Sequence, residues 1–473
     1  MVSLTRAIGE FIATLRFTDV PGEAMRIVCN GFTDVAACII LGRDMPVVDA
    51  VKQVSSVVPS GGEARVCFSA QGAKATDAAL INGTAAHAYD YDDIGIGAHP
   101  AHPSAVLVPA ILAEAEALRR GGPATIAAYL AGYEVWGELA RRDADPHHVK
   151  GWHPTGVFGS LAAAAACAKL RRLDAGHAAH AVGIAASQAA GLVANFGSMA
   201  KPFHAGRAAQ VGVLSARLAA AGMTAASDVI EQPKGFLHAV SPRGATAVET
   251  PLILGREWWS LRHGLGFKLY PMCYGAHRSL DGMLELVSEH DIVADDVTDV
   301  EVEMSPNQQL NLVNHDPQTA MDAKFSEEFA MAMAIIARRA TMAEVADGFV
   351  RRDDVRALMK KVRITTIPGV GDDRPTTPPA DRITVTLRDG RRLQRKLDNP
   401  RGHPKRPLGG EELWIKFADC VSDAMPTVSA RLFFDQLQAL DKLGSVTELP
   451  LVEYGRPKAT LGAPLPAGKV RIG

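Results

Sequence analysis

The sequence predicts a multidomain α and α+β protein, with a large all-helical domain and a smaller α+β lid domain inserted into it. Three observations predict this. The chain has 473 residues, more than one compact core usually organises. From residue 1 to about 260, apolar residues recur at helical spacing in segments rich in Ala, Gly and Ser. After that the texture alternates as strands do, and helical periodicity returns beyond Gly402. The expected boundaries are 1–262 plus 403–473 for the helical domain and 263–402 for the lid.

The elements follow in order. MVSLTRAIGEFIATLRF carries charges throughout and reads as an amphipathic helix rather than a signal peptide. Pro123 follows Gly121-Gly122 and opens the helical run ATIAAYLAGYEVWGELARR. VFGSLAAAAACAKL, HAAHAVGIAASQAAGLVA and RAAQVGVLSARLAAAG are expected to be buried helices whose small residues let the axes approach closely. VTDVEVEMS (297–305), KVRITTI (361–367) and DRITVTLRDGRRLQRKL (381–397) read as strands, and Asp389-Gly390 marks a hairpin in the last. Helical stretches at 275–290 and 326–339 lie between them. GEELWIKFADCVSDA and VSARLFFDQLQALDKL then return to the first domain, and the Pro/Gly-rich tail from Pro457 is expected on the surface.

Composition excludes several classes. The formal net charge is -2 and the pI about 6.7, so no global basic field exists to hold nucleic acid or an anionic membrane. Neither partner is expected, and no uninterrupted apolar run reads as a membrane span. Cys29, Cys38, Cys67, Cys167, Cys273 and Cys420 form no C-x-x-C pair, which argues against a zinc ribbon and fits a reducing, cytoplasmic setting. No G-x-G-x-x-G follows a strand and no G-x-x-x-x-G-K-[ST] occurs, so hydride and phosphoryl transfer are not expected.

Chemistry concentrates in four segments. In HAYDYDDIGIGAHPAHPSAVLVPA (87–110), Asp90, Asp92 and Asp93 precede a Gly-punctuated loop carrying His99 and His102. Pro100 and Pro103 fix the backbone around His102, as a proton-transfer group requires. The bland reading is an acidic loop before a helix capped by Ser104. A divalent metal held by Asp90, Asp93, His99 and His102 is a third reading, although the spacing matches no common metal motif. GWHPTGVFGS (151–160) carries His153 at a helix entry. GSMAKPFHAGRAAQ (197–210) carries Lys201 and His204 in what reads as a Pro-broken loop between apolar helices. GFKLYPMCYGAHRS (266–279) carries Lys268, Cys273 and His277 where the two regions meet, and ligand sites favour such junctions. Each residue has an ordinary alternative: a surface histidine, a snorkelling lysine, a packing cysteine. Together Lys201, Lys268, His102 and His153 make a local cationic pocket in a near-neutral protein, which suits a polycarboxylate.

ALINGTAAHAYDYDD, HPAHPS, GWHPTGVFG, MAKPFHAGRAA, KLYPMCYGAH and DAKFSEEF also occur in the order seen in the MmgE/PrpD family, which the chain resembles from near residue 1 to about 440. The resemblance implies a helical domain built from both ends of the chain, an inserted lid, a homodimer, and no metal or organic cofactor. It implies a lyase acting on a small di- or tricarboxylic acid, by 2-methylcitrate dehydratase-like dehydration or cis-aconitate decarboxylase-like decarboxylation. An isomerase epimerising iminodisuccinate is the alternative, and a non-catalytic carboxylate-binding protein is the alternative of another class. Carried over by position, the catalytic residues are Asp90, His102, His153, Lys201 and Lys268. Lys201 and Lys268 are expected to clamp carboxylates and stabilise developing charge, His102 to be the principal acid or base with His153 as its partner, and Asp90 to orient His102 or raise its basicity. His99, Cys273, His204 and His277 join the expected substrate-binding set. The chain departs from the decarboxylase-like pattern at Ile94, Cys273 and Phe329, and from the dehydratase-like pattern where A-V-L-V follows H-P-S.

Overall fold

The computed structural model describes residues 3–97, 100–143, 145–367 and 380–452. The tail from Pro457 lies outside them.

Small residues set the helical packing. Ala75–His87, Pro103–Ala117, Pro154–Leu170 and Ala200–Ala220 pack against one another as the centre of the helical part. Gly206 lies against the Leu80 carbonyl and Thr84, and Gly212 against Ala163, so side chains there would force the axes apart. Gly122–Ala140 covers Pro154–Leu170, and Leu4–Thr14, capped by the Ser3 hydroxyl, packs on Ala175–Ala186. Gly410–Val421 and Thr427–Gln438 fold back onto Gly22–Gly42, as their periodicity predicts.

Gly22–Gly42 departs from one expectation. By length and composition it is apolar enough to cross a membrane, with 72% of its most apolar window buried. Its Asp34 pairs inside the protein with Lys416 of Gly410–Val421, which makes it a core helix in this fold.

The predicted strands form one four-stranded sheet in the order Val362–Thr366, Val297–Met304, Asp381–Leu387, Arg392–Leu397. The first pair is parallel and the other two are antiparallel. Gly390 takes a left-handed φ of 87° in the hairpin turn, as Asp-Gly predicts. His277–His290 packs against the sheet, and Glu327–Ala337 against both that helix and the edge strand.

Buried apolar residues gather in two clusters. One draws on residues 4–267 and 413–452, the other on residues 270–387. The chain crosses from one to the other between Phe267 and Tyr270. There Leu265–Gly266 pairs with Ile94–Gly95, tying the crossing to the acidic loop.

Two local expectations are corrected. The helix expected over HAAHAVGIAASQAAGLVA ends at Ala186; the chain then turns so that the Gly191 carbonyl accepts from the His153 amide. Lys201 and His204 do not sit in a broken loop but on the first turns of Ala200–Ala220. Pro202 is tolerated there because amides of a helix's first turn have no intrahelical acceptor.

Candidate active site

The site is organised by the chain reversal that follows Ala75–His87. Asp90 adopts the left-handed region, with φ of 51°, a conformation open to Asp at modest cost. The reversal sends three neighbouring carboxylates into three different surroundings.

Asp90 meets cations. Its Oδ1 lies 2.7 Å from Lys201 Nζ, 3.2 Å from Lys268 Nζ and 3.6 Å from His102 Nε2. Burial pushes this carboxyl up, but Lys201 and then Lys268 outweigh it and hold it well below the usual range. Asp92 meets imidazoles: its oxygens lie 2.9 Å from His87 Nδ1 and 3.0 Å from His102 Nδ1. Burial opposes its ionisation, yet His87 and His102 together hold it well below the ordinary value. Asp93 turns into the core, where the Ser104 hydroxyl donates to it and stands 2.6 Å from the Tyr129 hydroxyl. Burial, then the neighbouring Asp34 charge, pushes Asp93 well up, so of the three it holds its proton most readily.

These partners fix the tautomer of His102. Its Nδ1 lies 2.8 Å from the Asp93 carbonyl, which only accepts, so Nδ1 carries the proton. Nε2 is then the nitrogen left for chemistry, and it faces Asp90 and the lysines. The orienting carboxylate is therefore Asp92 rather than Asp90, which corrects the sequence-based role: Asp90 is committed to Lys201 and Lys268. The His102 amide donates to Thr155 Oγ1 at 3.1 Å, and Pro103 opens the next helix directly behind it.

A second pair of imidazoles stands alongside. His153 Nδ1 and His204 Nδ1 are 3.1 Å apart, and His153 packs edge-on against Phe196, which also lies under Lys201. One of these Nδ1 atoms donates and the other accepts. Burial lowers both, with nearby cations adding to the effect, so this pair is neutral at pH 7. The His87 ring bridges the two groups, 4.4 Å from His102 and 6.1 Å from His153 between centroids. Burial lowers His87 to about 4, and its Nε2 has no hydrogen-bond partner among the described residues.

The structure thus brings Asp90, His102, Lys201 and Lys268 together, with His153 and His204 adjoining. Cys273 is half-buried in reach of the same charges: burial raises its thiol first, then Asp90, while Lys268 and Lys201 oppose. His277 does not join. It is fully buried between Tyr270 and Tyr274, with Nε2 3.2 Å from the Met272 carbonyl, and burial takes it to about 3. His99 lies outside the described residues.

Sequence reasoning missed His87 and the role of Asp92. The signal was the spacing in H-A-Y-D-Y-D-D, where a helix ends on His87 and a reversal at Asp90 returns Asp92 to it. It also missed two buried lysines, Lys324 and Lys416, whose ammoniums reach the Tyr89 and Tyr91 carbonyls, each at 2.7 Å.

Of the alternative metal set of Asp90, Asp93, His99 and His102, Asp93 turns away from Asp90 to Ser104, and His99 lies outside the described residues. A different quartet, His87, Asp90, Asp92 and His102, places donor atoms within 4.8 Å of one another. In this arrangement two ammoniums occupy Asp90 and both Nδ1 atoms share Asp92, so a cation would have to displace the lysines.

The sequence matches known proteins along most of its length. The MmgE/PrpD N-terminal domain matches residues 6–248 and the MmgE/PrpD C-terminal domain residues 270–442. Cis-aconitate decarboxylase of Homo sapiens is 30% identical over 380 residues, covering 78% of this chain and 76% of that one. Its Mus musculus counterpart is 28% identical over 72% of this chain and 71% of its own. Cis-aconitate decarboxylase of Aspergillus terreus is 24% identical over 95% of both chains. Two family domains in the expected order, the first spanning the acidic loop, Lys201 and the histidine pair, place this chain in the MmgE/PrpD family.

Proposed function

We propose that this protein is a cofactor-independent lyase acting on a small di- or tricarboxylic acid, with decarboxylation of a cis-aconitate-like substrate as its reaction. One observation carries the reading: two lysines and the free nitrogen of His102 converge on a single buried carboxylate in a protein of near-zero net charge. A substrate carboxylate has the charge and shape of the Asp90 carboxylate, so the cations that hold Asp90 also suit a polyanion. The names of the relatives favour decarboxylation over dehydration or epimerisation.

The chemistry follows from charge. In a β,γ-unsaturated tricarboxylate, the bond to the allylic carboxylate breaks and CO2 leaves. Its electron pair forms a new terminal double bond. The old double bond's electrons move to the carbon beside a remaining carboxylate, which then takes a proton. Negative charge develops next to that carboxylate, where Lys201 and Lys268 stabilise it. His102 relays that proton through Nε2, which takes it up from solvent and passes it to the carbon, while Asp92 holds the ring at Nδ1. His153 and His204 form a neutral pair beside the cations.

Purified protein is assayed in deuterium oxide throughout: on cis-aconitate for CO2 release and deuterium in the product, on 2-methylcitrate for alkene formation, and on iminodisuccinate for exchange beside a carboxylate. Release of CO2 with one deuterium incorporated supports the reading. Exchange without a new alkene assigns an epimerase. Saturable stabilisation by these acids without turnover assigns a binding protein.

A further inference from the structure

Three buried lysines grip three successive carbonyls of the acidic loop. Lys324 Nζ donates to the Tyr89 carbonyl at 2.7 Å, Lys268 Nζ to the Asp90 carbonyl, and Lys416 Nζ to the Tyr91 carbonyl at 2.7 Å. All three side chains are almost wholly buried. They come from three separated parts of the chain: the crossing segment, the residue ending Ala320–Ala323, and Gly410–Val421. Two have carboxylate counterions, since Lys268 pairs with Asp90 and Lys416 with Asp34. Lys324 has no ion pair among the described residues. Its Nζ has the Tyr89 carbonyl, the Pro271 carbonyl at 2.8 Å, and the Tyr89 ring face at 5.3 Å.

Burying an ammonium without a counterion is costly, and a leucine or methionine of similar volume would pack there at less expense. Lys324, which belongs to neither segment, bridges the acidic loop and the segment carrying Lys268 and Cys273 through the Tyr89 and Pro271 carbonyls. Its own carbonyl completes the bridge by accepting from the Cys273 amide at 2.8 Å. The Tyr91 hydroxyl, donating to the Leu269 carbonyl at 2.9 Å, ties the same two strands of chain on the far side of Asp90. The left-handed residue Asp90 thus sits between two crosslinks to the segment that carries Lys268, one at the Leu269 carbonyl and one at the Pro271 carbonyl.

We propose that Lys324 is a positioning residue for the reaction: by holding the Tyr89 and Pro271 carbonyls together, it keeps Asp90 left-handed, with its carboxylate aimed at Lys201 and Lys268. It touches no substrate. Without it, Asp90 relaxes toward an ordinary backbone conformation, and Lys201 and Lys268 lose the carboxylate that spaces them. Both lysines remain to bind substrate, but their alignment with His102 is gone. Burial, offset in part by Asp90, brings the Lys324 ammonium down to about 7, in keeping with a group held for its hydrogen bonds rather than its charge.

The inference rests on the lyase reading above, and its test separates the two. Lys324→Met keeps the length of the side chain and removes the donors. With cis-aconitate as substrate, the expected result is a kcat about 100-fold below wild type, because a shift of about 1 Å in an aligned site has that effect. KM stays close to wild type, because the binding cations remain. A purely structural lysine would lower the unfolding midpoint and leave kcat per folded molecule unchanged, and that result overturns the proposal. The crystal structure of Lys324→Met decides independently of turnover: Asp90 still left-handed and in contact with Lys201 overturns the proposal, and loss of both supports it. If wild type turns over none of the acids, the lyase reading fails and the crystallographic arm still stands. Should the methionine variant not fold, Lys324→Gln, which reaches one carbonyl at most, carries the same kinetic and structural tests.

Discussion

At the residue scale, the site separates charge by surroundings: three aspartates within four positions divide into two whose ionisation is favoured, the clamp Asp90 and the orienter Asp92, and one whose ionisation is opposed, the core residue Asp93. His102→Asn removes the Nε2 through which the proton passes and is expected to lower kcat by about 10²–10⁴-fold, the usual worth of a positioned acid or base. Steady-state kinetics on the turned-over acid check it, and wild-type activity in this variant removes His102 from the mechanism. Lys201→Met differs in kind. It leaves the buried Asp90 carboxylate with one ammonium instead of two, so it should cost activity and also about 1–3 kcal/mol of stability, read by urea unfolding. His277 gives a separate prediction. Its folded pKa, about 3, lies below the ordinary 6.5, so its neutral form contributes stability that is full above pH 6.5 and lost as pH falls toward 3. His277→Gln removes that titration. Between pH 6.5 and 5 the variant's stability should fall less steeply than wild type, by up to about 1.4 kcal/mol per pH unit. Identical slopes would show that His277 does not titrate in this way. The sequence made the cations and His102 legible, because each stands beside Pro or Gly in an otherwise apolar setting. It hid the exchange of roles between Asp90 and Asp92, which depends on one backbone reversal that the Asp-rich run does not announce.

At the element scale, the two helices that carry the site touch backbone to backbone. A side-chain carbon on Gly206 would stand 2.2 Å from the Leu80 carbonyl oxygen, and one on Gly83 would stand 2.7 Å from the Gly206 Cα. This contact sets how Lys201 and His204, at the start of Ala200–Ala220, face His87 at the end of Ala75–His87. Gly206→Ala must therefore push the helices apart. Overpacking of this kind typically costs about 1–3 kcal/mol. Because the lysine and imidazoles move with their helices, kcat/KM should fall as well, although Gly206 touches none of them. Urea unfolding and kinetics together check this, and a destabilised variant with wild-type kcat/KM would show that the crossing does not set the site. Strands and helices were legible here because their periods of 2 and 3.6 differ so plainly. What periodicity could not show was where Ala200–Ala220 begins. Pro202 reads as a breaker in sequence, yet it occupies a first turn, where a missing amide has no consequence. The helix over 177–194 failed in the opposite sense: its Ala-rich run continues, but the chain turns to meet His153.

At the scale of the whole molecule, the site lies where the two hydrophobic clusters meet. Lys201, His102, His153 and Asp90 belong to the stretch that builds the first cluster, Lys268 sits on the crossing segment, and Cys273 and Lys324 lie within the stretch that builds the second. Lys324 and Tyr91 bridge the junction through backbone carbonyls, and Arg401 bridges it again through Asp281, Tyr270 and Glu412. A polycarboxylate held by Lys201 and Lys268 would join these crosslinks and strap one cluster to the other. The expected consequence is cooperative. Tricarballylate, a saturated tricarboxylate with no double bond to react, should stabilise the whole chain by about 2.7 kcal/mol at a hundredfold excess over its Kd. Amides on the sheet strands and on the central helices should gain hydrogen-exchange protection together, because opening either cluster releases the ligand. Lys268→Met should abolish the stabilisation and uncouple the two sets of amides. Protection gained by the helices alone, with the sheet unaffected, would place the ligand wholly inside the helical part and exclude a site built across the junction.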